Sequence, residues 1–156
     1  NPLTSSTRVG NGLAAGDAER FKPRWMKNGI TRPPITLISA PTSHKAAKQF
    51  AKTLATSPLV KTAIFGADPN WGRIIAALGR AGLPLHPNRL IMAFNGLPIV
   101  KDGKGLGPRR EQQIQKIMRH SSFTISVSLG LGTGVYTIWT TDLTYDYIKI
   151  NASYRS

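Results

Sequence analysis

Apolar residues recur at helical spacing in four stretches of the chain. Within 41–58, four of them share one helical face: Ala47, Phe50, Ala51 and Leu54. The same periodicity predicts helices within 70–79, 108–120 and 143–150. The helix in 108–120 begins at a proline, which suits a first helical position because its missing N–H has no partner there.

Strand patterns lie between these helices. Residues 123–130 alternate strictly between apolar and hydroxyl side chains, which predicts a strand with one buried face. Short runs rich in apolar and β-branched residues predict two further strands, at 34–39 and 59–66.

Two turn signals predict antiparallel hairpins. Asn95-Gly96 divides the apolar residues of 89–100 into two short strands. The run GLGTG at 130–134 is expected to turn the preceding strand back into a second one at 135–143. The predicted order of elements is therefore β-α-β-α-β-β-α-β-β-α, which indicates a layered α/β domain with at least one antiparallel ribbon.

Short polar side chains are predicted to cap the helices. Thr42 or Ser43 can begin the first helix, and Pro58 is expected to stop it. Asp68 and Asp142 each stand before a helical pattern, so each is a candidate cap. Either carboxylate is also a candidate for a polar site, and the residues alone leave both interpretations open.

The composition is that of a single domain. A chain of 156 residues can bury a real core, and Trp71 and Trp139 are its expected aromatic anchors. Residues 1–34 lack any sustained period and predict a divergent or disordered arm. The absence of cysteine excludes disulfides, and no run approaches the roughly 18 apolar residues of a membrane span. A soluble intracellular protein is expected.

The charge is strongly positive, with 21 basic against 7 acidic residues and a net charge of +14. Such a charge attracts phosphate, nucleic acid or anionic lipid. The basic residues are scattered, however, and no block is longer than Arg109-Arg110. Without interleaved aromatic residues this pattern favours solvated basic faces over nucleic-acid binding.

Motifs for phosphate or metal binding are weak. No glycine-rich run follows a predicted strand and opens a helix, as a phosphate loop requires. His44, His86 and His120 lie far apart along the chain and have no zinc-ligand spacing, so no metal site is expected. The residues alone therefore indicate a basic α/β domain without a visible catalytic set.

Two long motifs resemble a known family. LATSPLVKTAIFGADPNWGRIIAALG at 54–79 and WTTDLTYDYIKINASYRS at 139–156 resemble the C-terminal part of the β chain of ornithine acetyltransferases, the bifunctional glutamate N-acetyltransferases of arginine biosynthesis. RLIMAFNGLPIVKDGKGLG and FTISVSLGLGTG are similar to the strands between them. The resemblance covers 35–156 and implies a layered α-β-β-α domain with a mixed sheet, of the DmpA/ornithine acetyltransferase type, which this chain carries in part.

The resemblance also implies a mechanism. Family members cut themselves from one precursor before a Thr, which becomes the β-chain N-terminus and the nucleophile. This Thr accepts acetyl from N-acetylornithine and passes it to glutamate through an acetyl-Thr intermediate, which divides a difficult transfer into two easier steps. The α chain completes the oxyanion hole and a heterotetramer-like assembly. No cofactor is implied, and acetyl-CoA is a further candidate donor.

The family's substrate-binding tail carries over to Asn151 and Ser156, which stand at matching spacing. With the terminal carboxylate, their side chains suit an amino-acid substrate. The short helix before this tail is expected to aim it, with Tyr145, Tyr147 and Ile148 carrying its packing.

The family's DPNWGR motif carries over to residues 68–73. Four of its side chains are expected to support the site as a structural turn: Asp68, Asn70, Trp71 and Arg73.

Two departures from the family separate this chain from a complete active site. The NMATML-like cleavage motif that holds the nucleophilic Thr does not occur, so no catalytic residue is assigned within these residues. Asn28 stands where the family has a substrate-binding Glu, and an amide cannot act as a carboxylate.

Two functions remain open. The first is an acetyltransferase subunit that is inactive alone and works with an α chain and a nucleophile from elsewhere. The second is a non-catalytic relic or a basic binding module. The expected location is the cytoplasm, with the mitochondrial matrix as the alternative.

Overall fold

The computed structural model describes residues 36–39 and 43–153. The arm predicted at 1–34, Asn28, Thr42 and Ser156 lie outside these ranges. The helices are α1 (His44–Ala55), α2 (Pro58–Phe65), α3 (Trp71–Gly79), α4 (Pro108–Met118) and α5 (Tyr145–Ser153). The strands are β1 (Thr36–Ser39), β2 (Ile91–Phe94), β3 (Leu97–Lys101), β4 (Lys104–Gly105), β5 (Thr124–Ser128) and β6 (Tyr136–Ile138).

The six strands form one mixed sheet in the order β4-β3-β2-β5-β1-β6. Strands β1 and β5 run parallel, and the four other neighbouring pairs are antiparallel. Helix α1 packs against β1 and β6, and α4 packs against β3. The predicted α/β class with a mixed sheet is confirmed. The described residues form a single sheet and the helices that accompany it.

The core lies between this sheet and the helices. The predicted apolar face of α1 is fully buried, with Phe50 and Leu54 each 1% exposed. Strand β5 follows its predicted alternation: its core-facing residues are buried, while Thr124, Ser126 and Ser128 on the other face are half-buried. Both periodic patterns therefore predicted the packing correctly, because each spans enough residues to define a face.

The strand predicted at 59–66 is wrong, because the segment forms helix α2. Ser57 is its N-cap and accepts a hydrogen bond from the Val60 N–H at 3.5 Å, and Pro58 occupies the first turn. Pro58 thus opens α2, and α1 has already ended at Ala55. A short, mostly apolar segment does not by itself distinguish a strand from a helix, and here the cap and the proline favour the helix.

The hairpin predicted around GLGTG is also wrong. Strand β1 lies between β5 and β6, so the loop at 130–134 crosses to the far side of β1. Gly134 passes so close to the backbone of Ser43 and His44 that a Cβ would overlap it, and His44 Nδ1 lies 2.9 Å from the carbonyl oxygen of Val135. This glycine therefore allows the loop to approach the start of α1, a role that sequence spacing does not reveal.

The Asn95-Gly96 turn joins β2 and β3 as predicted. Both residues have positive φ, 47° and 79°, as a two-residue type I′ turn requires. The Asn95 side-chain oxygen also accepts a hydrogen bond from the Thr124 N–H at 2.7 Å, and the backbone N–H of Asn95 donates to the Thr124 carbonyl at 2.9 Å. The turn thus attaches the hairpin to the start of β5.

Asn95→Ala is expected to lower the free energy of unfolding by about 1–2 kcal/mol, because alanine tolerates positive φ poorly and cannot accept from Thr124. Asn95→Gly restores the backbone freedom and should cost less. Urea denaturation of the two variants measures the difference. An alanine variant as stable as the parent chain would contradict this role for the turn.

Candidate functional site

The DPNWGR turn connects α2 to α3, and Asn70 rather than Asp68 caps α3. The Asn70 Oδ1 atom accepts a hydrogen bond from the Arg73 N–H at 3.2 Å. The Asp68 N–H donates to the Ala63 carbonyl at 2.9 Å, which places Asp68 at the end of α2. The cap predicted at Asp68 is therefore wrong by two residues, and its carboxylate instead accepts from Asn70 Nδ2 at 3.1 Å.

Arg73 joins the two helices on either side of the turn. Its Nη1 atom donates to the Leu59 carbonyl at 3.1 Å and to the Thr62 hydroxyl oxygen at 3.2 Å, both on α2. These contacts suit the predicted structural role, because they fix the angle at which α3 leaves the turn.

Trp71 links the turn to α4 and the sheet. The half-buried indole packs against the hydrophobic core, and its Nε1–H donates to Glu111 Oε1 at 3.3 Å. A Cβ on Gly105 would lie 2.8 Å from the ring, so the glycine of β4 allows the indole to approach the strand closely. Trp139, in contrast, follows the edge strand β6 and is 54% exposed, so its predicted role as a core anchor is wrong.

An open pocket of about 540 Å³ lies between this turn and the first turns of α4. It is lined by Asp68, Pro69, Asn70, Trp71, Gly72, Pro108, Glu111, Gln112 and Gln115. Three of the four predicted support residues thus meet in one place, while Arg73 faces α2. Sequence reasoning missed Glu111, Gln112 and Gln115, although their spacing on α4 places them on one helical face.

Asn151 lies on α5 and is exposed. Its Nδ2 atom donates to the Tyr147 carbonyl at 2.8 Å, one turn earlier in the same helix. Ser156 lies outside the described residues, so the substrate-binding role proposed for Asn151 and Ser156 stays a prediction.

Helix α5 differs from its prediction in two respects. Thr144 caps it, because its hydroxyl oxygen accepts from the Tyr147 N–H at 3.1 Å, whereas Asp142 is buried two residues earlier. The expected packing by Tyr145, Tyr147 and Ile148 is wrong, since the three are 53–81% exposed. The Tyr145 ring makes an edge contact with Phe65, at 5.3 Å between ring centroids.

The exposed apolar side chains near the end of the described chain form a group that we call the C-terminal apolar surface: Val135, Trp139, Tyr145, Tyr147, Ile148 and Ile150. Each is at least 48% exposed. None of the residues of α5 is buried. A helix of 9 residues is marginal in water without tertiary packing, so the exposed apolar side chains of α5 are suited to contact with another polypeptide.

Metal and membrane features are absent from the described part of the chain. No group of three or more His, Cys, Asp or Glu side chains within 36–39 and 43–153 could hold a metal ion. None of the helices in those ranges has the length and hydropathy needed to cross a membrane.

Comparison with known proteins yields one family. The sequence model of the ArgJ family matches residues 32–156. The arginine biosynthesis bifunctional protein ArgJ of Syntrophotalea carbinolica is 42% identical over 128 residues, which is 82% of this chain and 33% of that protein. The protein of the same name from Chlorobaculum tepidum is 46% identical over 119 residues, 76% of this chain and 29% of its own length.

A solved structure agrees in fold. The crystal structure of the arginine biosynthesis bifunctional protein ArgJ from Bacillus halodurans superimposes with a TM-score of 0.72 at 36% identity, covering 81% of this chain and 59% of that one. This chain thus spans about a third of the length of the curated relatives it matches.

Proposed function

Because this chain belongs to the ArgJ family, we propose that it is the C-terminal, substrate-orienting part of an enzyme of arginine biosynthesis. The reaction we propose is acetyl transfer from N-acetylornithine to glutamate, with acetyl-CoA as a further donor. The observation that carries this proposal is the family match over 32–156, together with 42% identity to a relative across 82% of the chain. The proposed location is the cytoplasm, with the mitochondrial matrix as the alternative.

The nucleophile of this reaction would be a Thr outside the 156 residues, since the family's cleavage motif does not occur within them. Its hydroxyl attacks the acetyl carbonyl of N-acetylornithine, and ornithine leaves. The amino group of glutamate then attacks the acetyl-Thr ester and releases the Thr hydroxyl. We propose that the residues of this chain form no covalent bond in either step and that they orient the amino-acid substrates.

Asn151 is the residue we assign to this orienting role, with Ser156. The exposed position of Asn151 on α5 supports the assignment, because its amide can reach a group outside the domain. An amide offers both a donor and an acceptor, which suits the ammonium and carboxylate groups of an amino acid.

The partner we propose is the α chain of the same precursor, in a heterotetramer-like assembly. The C-terminal apolar surface supports this partner, because α5 buries none of its own side chains in the described domain. The net charge of +14 favours an acidic partner over a second copy of this chain, since like charges repel.

Ile148→Ser combined with Ile150→Ser is expected to weaken α-chain binding at least about tenfold, because apolar anchors dominate such interfaces. The melting temperature of the free chain should change little, since both side chains are already exposed. Leu106→Ser, at a residue 40% exposed outside this surface, is the control. Unchanged binding by the double variant in a co-purification titration would place the interface elsewhere.

Complementation of a bacterium tests the function as a whole. A strain whose ArgJ is truncated before the matching segment cannot grow without arginine, and supplying this chain as a separate polypeptide should restore growth. Continued arginine dependence with both polypeptides soluble and associated would contradict the proposal.

The net charge supports one other candidate function, a basic module that binds an anionic macromolecule. Binding of this kind weakens steeply as salt is raised. A salt-sensitive association with RNA or DNA, in a chain that fails the complementation test, would favour this alternative.

A further inference from the structure

We propose that the pocket between the DPNWGR turn and α4 binds the guanidinium group of a small ligand or of a peptide side chain. This site does not depend on acetyl transfer, because the pocket and its charges exist in the described domain without α chain or nucleophile. Its volume of about 540 Å³ falls within the roughly 300–1,000 Å³ usual for small-molecule sites.

The charge of the pocket is opposite to that of the protein. The chain has 21 basic residues and only 7 acidic ones, yet Asp68 and Glu111 both line this pocket. None of the nine described residues that line it is basic. The lining therefore carries a formal charge of −2 in a protein whose net charge is +14, and a negative lining favours a cationic ligand.

Trp71 supplies an aromatic wall beside the two carboxylates. The indole is held between the backbone of Gly105 and the carboxylate of Glu111, so its orientation is defined before any ligand arrives. A cation is attracted to an indole face, and guanidinium also stacks on such a face as a planar group. Gln112 and Gln115 add amide oxygens that can accept N–H groups.

These features favour guanidinium over a simple ammonium group. Guanidinium presents five N–H donors in a plane, which matches a set of carboxylate and amide acceptors beside a flat ring. Glu111 lies in the first turn of α4, where a negative charge interacts favourably with the helix dipole. The same carboxylate lines the pocket, where it can accept hydrogen bonds from a ligand.

The test is a titration of the full chain with L-arginine and, separately, with L-citrulline, the uncharged ligand of nearly the same shape. The observable is the indole N–H resonance of Trp71, assigned by its loss in Trp71→Phe. Arginine should shift this resonance saturably at constant ionic strength, and citrulline should leave it unchanged.

Glu111→Gln is the decisive variant, because glutamine still accepts from the indole N–H and so preserves the fold. It should weaken arginine binding about tenfold or more, as expected for a lost charged hydrogen bond. Asp146→Asn is the control, because it also removes one negative charge but lies on α5, outside the pocket lining. This variant should bind arginine as tightly as the parent chain.

A blocked derivative, N-acetyl-arginine amide, distinguishes the two sources of guanidinium. Equal binding of both compounds supports an arginine side chain of a polypeptide as the ligand, and binding of free arginine alone supports a free amino acid. Equal shifts with arginine and citrulline, no saturable shift, or full binding by Glu111→Gln would each overturn the proposal. None of these results bears on acetyl transfer, which the titration does not measure.

Discussion

Trp71→Ala is expected to lower the free energy of unfolding by about 3 kcal/mol, the low end of the range for truncating a large aromatic side chain. The low end applies because the indole is half-buried. The substitution removes its packing against the core and its contact with Gly105, and leaves Glu111 without the indole donor. Denaturant unfolding followed by circular dichroism measures the loss.

Trp139→Ala is the matched control for this prediction. Its side chain is 54% exposed, so its removal should change the stability of the free chain by no more than about 0.5 kcal/mol. Trp71→Phe keeps an aromatic ring but loses the indole hydrogen bond and part of the packing, so its loss of stability should lie between those of Trp71→Ala and Trp139→Ala. Equal melting of the Trp71→Ala and Trp139→Ala chains would show that the DPNWGR turn does not depend on its tryptophan.

Deleting residues 151–156 should reduce acetyl transfer about a hundredfold or more in an enzyme reconstituted with α chain and nucleophile, because a misplaced substrate rarely reaches the reactive geometry. The described part of this segment, Asn151 to Ser153, is exposed, so the melting temperature should barely change. Transfer rate and melting temperature are measured on the same preparations.

Asn151→Ala separates the side chain from the rest of the tail. It should reproduce a large part of the loss in rate, whereas Lys149→Ala, an exposed residue on the same helix, should not. Full activity of both the deletion and Asn151→Ala would make the tail an ordinary terminus and remove Asn151 and Ser156 from the site.

Long periodic segments were the most predictable part of the fold. The apolar face of α1 and the alternation of β5 each identify the buried residues correctly, because a repeated period determines which side of an element meets the core. The Asn95-Gly96 turn was equally clear, since few residue pairs tolerate two positive φ angles in succession.

The errors have common physical causes. Helix α2 has only 8 residues, so the helical spacing of its buried Val60, Ala63 and Ile64 spans a single turn, and Ser57 and Pro58 are the clearer signals of a helix. The GLGTG loop was predicted as a local turn, but the position of β1 between β5 and β6 results from long-range pairing. Tyr145, Tyr147 and Ile148 are expected to carry the packing of α5, whereas all three are exposed in the described domain.

The candidate site was predictable in part. The turn at 68–73 is identified from its motif, and three of its four predicted support residues line the pocket. Glu111 lies 40 positions from Trp71 in the chain, and only the packing of α4 beside the turn brings the two together. Local sequence patterns carry no information about such a contact.

The most direct test of the central claim is acetyl transfer from isotopically labelled N-acetylornithine to glutamate in a purified mixture. The mixture contains this chain and the part of an ArgJ relative that precedes the matching segment. We predict labelled N-acetylglutamate from the two polypeptides together and none from either alone. Absence of the product from a mixture in which the two form a stable complex, or transfer by this chain alone with an acetylated Thr on it, would contradict the account.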